Sequence, residues 1–158
     1  MSIQPKYRVL TMEELHSLEK EFVDFLVVNG IMADDWEKMK LNETSKSSEI
    51  ITLFSDVILE GILRKTVFLE FRDAFTVKAF HCLTDKIILV GIDGTEDFDF
   101  TKPENMERAI ANPPKGMKVY TSEKSYNKSR EKELFDMIQS GCHISDGQTY
   151  KALCLALV

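Results

Sequence analysis

The sequence predicts an α+β fold, and three observations support this class. Apolar residues recur at helical spacing in several segments before residue 66. From about residue 66 to 92 they alternate with polar residues instead, which is typical of β-strands. The connections between the alternating segments are too short for crossover helices, so this part of the sheet is antiparallel. We therefore expect N-terminal helices packed on an antiparallel β-meander, with further mixed helices and short strands to the C-terminus.

The first predicted helix begins after Thr11 and ends at Asn29 and Gly30. Thr11 and Glu14 have the spacing of a capping box, in which each side chain bonds a backbone N–H that the helix leaves unsatisfied. Glycine takes the left-handed conformation after a helix without a Cβ penalty. The residues of its apolar stripe are Leu15, Leu18, Phe22, Phe25 and Leu26.

Two more helices are predicted before the meander. The second begins near Asp34 and buries Trp36 and Met39, and the polar segment 42–48 reads as a loop. The third runs from about residue 48 to 64, because its apolar residues recur at helical spacing.

The meander consists of three strands joined by short turns at residues 73–74 and 84–85. One face carries mixed apolar and polar side chains. We expect a second, apolar face that needs a partner, formed by Phe68, Phe80, Ile88 and Val90.

The C-terminal part predicts shorter elements. Pro103 opens a helix that ends before Pro113, and residues 118–121 form a fourth strand. A helix over about 128–140 and a short strand at 142–144 follow. Ser145 and Gln148 again have capping-box spacing before a final helix. No segment has the composition of a linker, so residues 1–158 are expected to form a single globular domain.

Composition narrows the class of protein. The chain has 158 residues and a formal charge of −6, which argues against a general nucleic-acid binder. An odd number of cysteines, three, argues against a disulfide framework, and free thiols fit a reducing compartment. No apolar stretch reaches the roughly 20 residues of a membrane-spanning helix. We expect a cytoplasmic protein with no membrane partner.

Three blocks of sequence resemble a known family. They are residues 6–11 (KYRVLT), 54–63 (FSDVILEGIL) and 141–147 (GCHISDG), together with the pair Trp36 and Glu37. The chain is similar through them to a family of short, uncharacterised Bacteroidetes proteins catalogued only as a domain of unknown function. The resemblance implies a stand-alone cytoplasmic protein, and it implies no activity, cofactor or site residue.

The acidic loop 93–104 has oxygen-bearing side chains at alternate positions and ends on Glu104, as a calcium-binding EF-hand loop does. Phe98 stands where that loop needs glycine, and a strand precedes it. A solvated acidic turn is therefore the favoured interpretation, with cation binding left open. No spacing of cysteines and histidines suits zinc, so no metal or other cofactor is expected.

Histidine and cysteine side chains are the other candidates for chemistry. His81 and Cys82 are neighbours on a strand and point to opposite faces, so they cannot act as one pair. The sequence leaves open whether Cys142 meets His81, or Cys154 meets His143, as a thiol nucleophile with its base. Whether the chain is an enzyme stays open with them.

Three functions follow as hypotheses. The first is a non-enzymatic protein-interaction module that binds a protein partner or a second copy of itself, because apolar surface is ample and site chemistry is absent from the sequence. The second is a small enzyme or ligand binder with a pocket near His81, Cys82 or Cys142. The third is a weak single-stranded nucleic-acid binder through residues 115–132, where Tyr120 and Tyr126 lie between basic residues.

Overall fold

A computed structural model describes residues 3–95, 98–111 and 117–157. These residues form seven helices and a five-stranded antiparallel sheet, with four helices before the first strand and three between or after the strands. The α+β prediction is confirmed. The chain divides into two compact units, Met1–Ile62 and Leu63–Val158. A single domain over residues 1–158 stays a prediction.

The unit Met1–Ile62 is helical. Its helices are α1 (Met12–Ser17), α2 (Glu19–Val28), α3 (Ala33–Asn42) and α4 (Thr44–Lys65), the last of which continues past the boundary of the unit. The predicted capping box is present: Thr11 N donates to Glu14 Oε1 at 2.8 Å, and Glu14 N donates to Thr11 Oγ1 at 3.1 Å. The predicted first helix is, however, interrupted at Leu18, where α1 gives way to α2.

The core of this unit contains the predicted pair Trp36 and Met39, with Leu26. The Phe22 ring meets Trp36 edge-on, with ring centroids 5.1 Å apart. The predicted loop over residues 42–48 is wrong, because α4 begins at Thr44. Ser47 is accommodated in the first turn because its hydroxyl donates to the Thr44 carbonyl at 2.9 Å.

The unit Leu63–Val158 contains the sheet. Its strands are β1 (Phe68–Arg72), β2 (Thr76–Cys82), β3 (Lys86–Asp93), β4 (Lys118–Ser125) and β5 (His143–Ser145), in the spatial order β4-β3-β2-β1-β5. The predicted meander is β1–β3, and the fourth and fifth strands are also confirmed. In the first hairpin, Asp73 Oδ1 accepts from the backbone N–H groups of Phe75 and Thr76, each at 2.8 Å.

The strand register corrects the predicted second face. Phe68 lies directly opposite His81 on β2, and Ile88 lies opposite the same residue on β3. Residues opposite each other share a face, so Phe68, Ile88 and Val90 share one face and Phe80 lies on the other. The prediction that all four share a face is wrong, because each hairpin pairs an even-numbered residue with an odd-numbered one.

Helices cover the face of Phe68, which we call the first face. Side chains of α5 (Pro103–Ala111) and α7 (Gln148–Ala156) pack there. The residues of this core include Met106, Ala109, Leu153, Val77, Ala79, Val90 and Ile92. Val90 is buried in it, whereas Phe68 and Ile88 on the same face are partly buried.

The last helix, α7, begins differently from the sequence prediction. Its N-cap is Gly147, with a φ of +88°. Ser145 Oγ accepts from Gly147 N at 3.3 Å, and Asp146 Oδ1 accepts from Gln148 N at 3.0 Å. The predicted capping box of Ser145 with Gln148 is therefore wrong, because Ser145 belongs to β5 and pairs with Phe68.

Arg130 fastens α6 (Arg130–Gln139) within the same unit. Its guanidinium donates to the carbonyls of Leu63, Cys82 and Leu83 at 3.0, 3.1 and 3.2 Å, and also to that of Thr66. One planar fork of donors thereby satisfies four backbone acceptors. This anchor fixes the start of α6 against two places: the segment that precedes β1, and the end of β2.

Candidate functional site

A groove of about 550 Å³ lies between the second face of the sheet and α6. This volume is within the range of about 300–1,000 Å³ in which small-molecule sites fall. The strands β1, β2 and β4, the helix α6 and the segments that flank this helix supply its walls. The lining residues are Phe71, Lys78, Phe80, Lys124, Asn127, Lys128, Glu133, Asp136, Met137, Ser140 and Cys142.

The apolar floor of the groove follows from the strand register. Phe71 on β1 lies directly opposite Lys78 on β2, and Phe80 is the next residue of β2 on the same face. Met137 on α6 completes the apolar surface. Phe71, Phe80 and Met137 are each only partly buried, so apolar area remains available to a ligand.

The end of α6 places Cys142 at the groove. Gly141 N donates to the Ile138 carbonyl at 3.1 Å and Cys142 N to the Met137 carbonyl at 3.0 Å, which is a Schellman motif. Gly141 has a φ of +118°, and a Cβ there would lie 3.4 Å from the Phe71 ring. Glycine therefore suits the positive φ of this turn, and the chain lies in van der Waals contact range of Phe71.

Two ion pairs form the rim. Lys124 Nζ lies 2.8 Å from Glu133 Oε1, and the other oxygen of Glu133 accepts from Asn127 N at 2.9 Å. Lys128 Nζ lies 2.8 Å from Asp136 Oδ2. This hydrogen bond lowers the pKa of Asp136 and raises the pKa of Lys128. Both lysines are therefore already occupied by carboxylates of α6.

Lys78 differs from the other two lysines of the groove. Within the part of the chain that the structure describes, its ammonium group forms neither an ion pair nor a hydrogen bond. The lining thus contains three lysines against two carboxylates, which leaves one positive charge beside an apolar floor.

The thiols of the second face are not activated. Burial raises the pKa of Cys82 to about 11. Burial also raises the pKa of Cys142, and the charge of Lys78 offsets part of that rise. Both groups are therefore protonated near neutral pH, whereas a nucleophilic cysteine needs its pKa lowered.

The structure keeps the predicted histidines away from this groove. His81 lies on the first face, where its ring stacks on Phe68 at 4.7 Å between centroids. His143 Nε2 lies 3.1 Å from Glu70 Oε2, also on that face. Among the described residues no hydrogen bond joins Cys142 or Cys154 to a histidine. Of the predicted pocket residues His81, Cys82 and Cys142, only Cys142 lines the groove.

The acidic loop is held by its own hydrogen bonds where it is described. Asp93 Oδ1 accepts from Thr76 Oγ1 at 2.8 Å, and Asp99 Oδ1 accepts from Thr101 N at 2.9 Å. Phe98 is buried in the core of the first face. Asp97, part of the predicted ligand pattern, lies outside the described residues. No group of three or more metal-ligating side chains occurs among the residues that the structure describes.

The two tyrosines of the basic segment 115–132 both contact the rest of the sheet unit. Tyr126 donates its hydroxyl to the Leu83 carbonyl at 2.7 Å, and burial raises its pKa to about 12. Tyr120 lies over Gly91, where an added Cβ would be 2.4 Å from its ring. Lys115 lies outside the described residues. Both tyrosines are partly buried, and nucleic-acid binding through residues 115–132 stays a prediction.

Sequence reasoning missed Lys78, Phe71 and Met137 as site residues. The alternation of β2 contains a partial signal, since Lys78 and Phe80 are two residues apart and share a face. The other wall comes from α6, about 60 residues later in the chain, and nothing in the local pattern places that helix over β1 and β2.

Comparison with known proteins gives one match. A family model described as a family of unknown function (DUF6495) matches residues 1–157. No curated protein and no solved structure matches significantly. In the described part of the chain, no helix is both long enough and apolar enough to span a membrane.

Proposed function

The chain belongs to the DUF6495 family, whose function is unknown, and from its geometry we propose that it binds a small molecule in the groove between the sheet and α6. The observation that carries the proposal is the partly exposed apolar floor of Phe71, Phe80 and Met137 within a cavity of ligand size. The raised thiol pKa values favour binding over cysteine catalysis. Three free cysteines fit a cytoplasmic setting for this binder.

The test uses a neutral fluorescent probe, N-phenyl-1-naphthylamine, excited beyond the tryptophan absorption band. We expect the protein to enhance its fluorescence, and we expect Met137→Trp to weaken binding about tenfold by filling the groove. Leu155→Trp is the control, because it adds the same bulk at an α7 position that is 76% exposed. Equal binding by both variants, or no binding by the wild type, would contradict the proposal.

Self-association is a second candidate function, and a different surface favours it. An apolar groove of about 320 Å³ lies between α2 and α3 in the unit Met1–Ile62. Val23 and Val27 line it and remain 49% and 56% exposed. Exposed apolar patches often mark interaction sites, and a twofold dimer is the commonest assembly. We propose that a second copy of the chain occupies this groove.

Charge sets a condition on that assembly. The unit has six basic and twelve acidic residues, a formal charge of −6, so two copies repel each other. Salt screens such repulsion, and the dimer should therefore strengthen as salt is added.

Sedimentation velocity at micromolar concentration tests the second candidate. We expect a dimer that Val27→Glu dissociates. Val28→Glu is the matched control, since Val28 is 84% exposed and does not line the groove. A monomeric wild type in high salt would exclude self-association, and a protein partner would then be the remaining form of the interaction hypothesis.

A further inference from the structure

The charge of the groove defines which small molecule it accepts. Resting on the proposed function, we propose that its ligand is an apolar monocarboxylate whose carboxylate binds Lys78 and whose apolar body lies on Phe71, Phe80 and Met137.

Lys78 is the cation that a ligand can reach. Lys124 and Lys128 are already paired with Glu133 and Asp136, and these pairs also anchor the rim to α6. A ligand anion at either lysine would lie beside a carboxylate that already neutralises its charge. Lys78 has no partner among the described residues, so binding an anion there breaks no existing bond.

The net charge of the lining selects a monoanion. Its three lysines and two carboxylates leave a single positive charge. A carboxylate has one negative charge at neutral pH, whereas a phosphate monoester has about 1.5 to 2. A phosphate would leave uncompensated negative charge next to Glu133 and Asp136, so the carboxylate is the better match.

The apolar surface lies next to that cation. Phe71 is the direct cross-strand neighbour of Lys78, and Phe80 follows it on the same face of β2. The Cβ atoms of directly opposite residues, such as Phe71 and Lys78, are about 5 Å apart. An acyl or aromatic body attached directly to the carboxylate therefore meets the apolar floor at once.

The experiment compares two probes of equal length, decanoate and decanol, by isothermal titration below their aggregation limits. We expect wild-type protein to bind decanoate about tenfold more tightly than decanol, the effect of one charge-assisted hydrogen bond. Lys78→Met keeps the aliphatic length of the side chain and should abolish this preference. Lys151→Met removes the same charge from exposed Lys151 on α7, on the other side of the sheet, and should keep the preference.

The outcomes separate the two proposals. Equal affinity for decanoate and decanol, with both blocked by Met137→Trp, overturns the carboxylate inference and leaves the binding function standing. A preference for decanoate that survives in Lys78→Met also overturns the inference. Binding of neither probe counts against both proposals. If Lys78→Met does not fold, raising the salt concentration on wild-type protein replaces it, since the decanoate preference should then shrink.

Discussion

At the scale of single residues, Lys78 influences a neighbouring thiol as well as any ligand. Its positive charge favours the thiolate form of Cys142 and so offsets part of the pKa rise that burial causes. The pKa of Cys142 therefore depends on the charge of Lys78 in the absence of any ligand. The rate of alkylation by iodoacetamide measures this dependence, because only the thiolate reacts.

We therefore predict that Lys78→Met slows the alkylation of Cys142 a few-fold near pH 8. Removing the cation raises the thiol pKa further, so less thiolate is present at a given pH. Lys78→Met should be the slower protein at every pH. Both proteins react faster as pH rises, and their rates converge well above the pKa of Cys142 in either protein. Peptide-resolved mass spectrometry after timed labelling measures the rate at Cys142.

Lys151→Met serves as the comparison, because it removes one charge from exposed Lys151 on α7. An unchanged Cys142 rate in Lys78→Met would show that the ammonium group does not act on the thiol. Cys82 should label slowest in both proteins, since burial raises its pKa to about 11.

Residue-scale chemistry was the least predictable part of this protein from sequence. The separation of His81 from Cys82 was predictable, because neighbours on a strand point to opposite faces. The special position of Lys78 was not, because it depends on which lysines meet Glu133 and Asp136. Those carboxylates lie on a helix more than 50 residues away, and sequence does not place that helix.

At the scale of elements, identical patterns gave different results. Thr11 with Glu14 forms a capping box, whereas Ser145 with Gln148 has the same spacing and does not. Ser145 belongs to β5, where it pairs with Phe68, and so Gly147 and not Ser145 is the N-cap of α7. A local pattern predicts an element well only where no strand partner competes for the same residues.

Face assignment shows the same limit. Alternation within each strand of the meander was predictable, and all three strands are present. Which positions of different strands share a face depends on the register, and the hairpin turn sets the register. The register divides the four residues expected to form one apolar face between two faces, and of the four only Val90 is fully buried.

At the scale of the whole molecule, the fold class was predictable and the division into two units was not. Helix α4 conceals the boundary, since it is one helix of 22 residues from Thr44 to Lys65 while the units meet at Ile62 and Leu63. No change in composition marks that position. The Leu63 carbonyl, in the last turn of α4, accepts from Arg130 Nη1 at 3.0 Å. Arg130 therefore anchors the part of α4 that belongs to the second unit.

A helix propagates cooperatively, so α4 should couple the unfolding of the two units. We predict that Arg130→Met lowers the free energy of unfolding by about 3 kcal/mol, because buried carbonyls lose a charged donor. Urea unfolding followed by circular dichroism measures the whole chain, and the fluorescence of Trp36, the only tryptophan, measures the first unit. Both midpoints should shift together if residues 1–158 are one domain.

Arg108→Met is the matched control, because it removes an arginine at an exposed position of α5 and should shift neither midpoint. A Trp36 midpoint that stays constant while the circular dichroism transition splits in two would instead mean that the units unfold independently, since the loss at Arg130 would then not reach the core around Trp36.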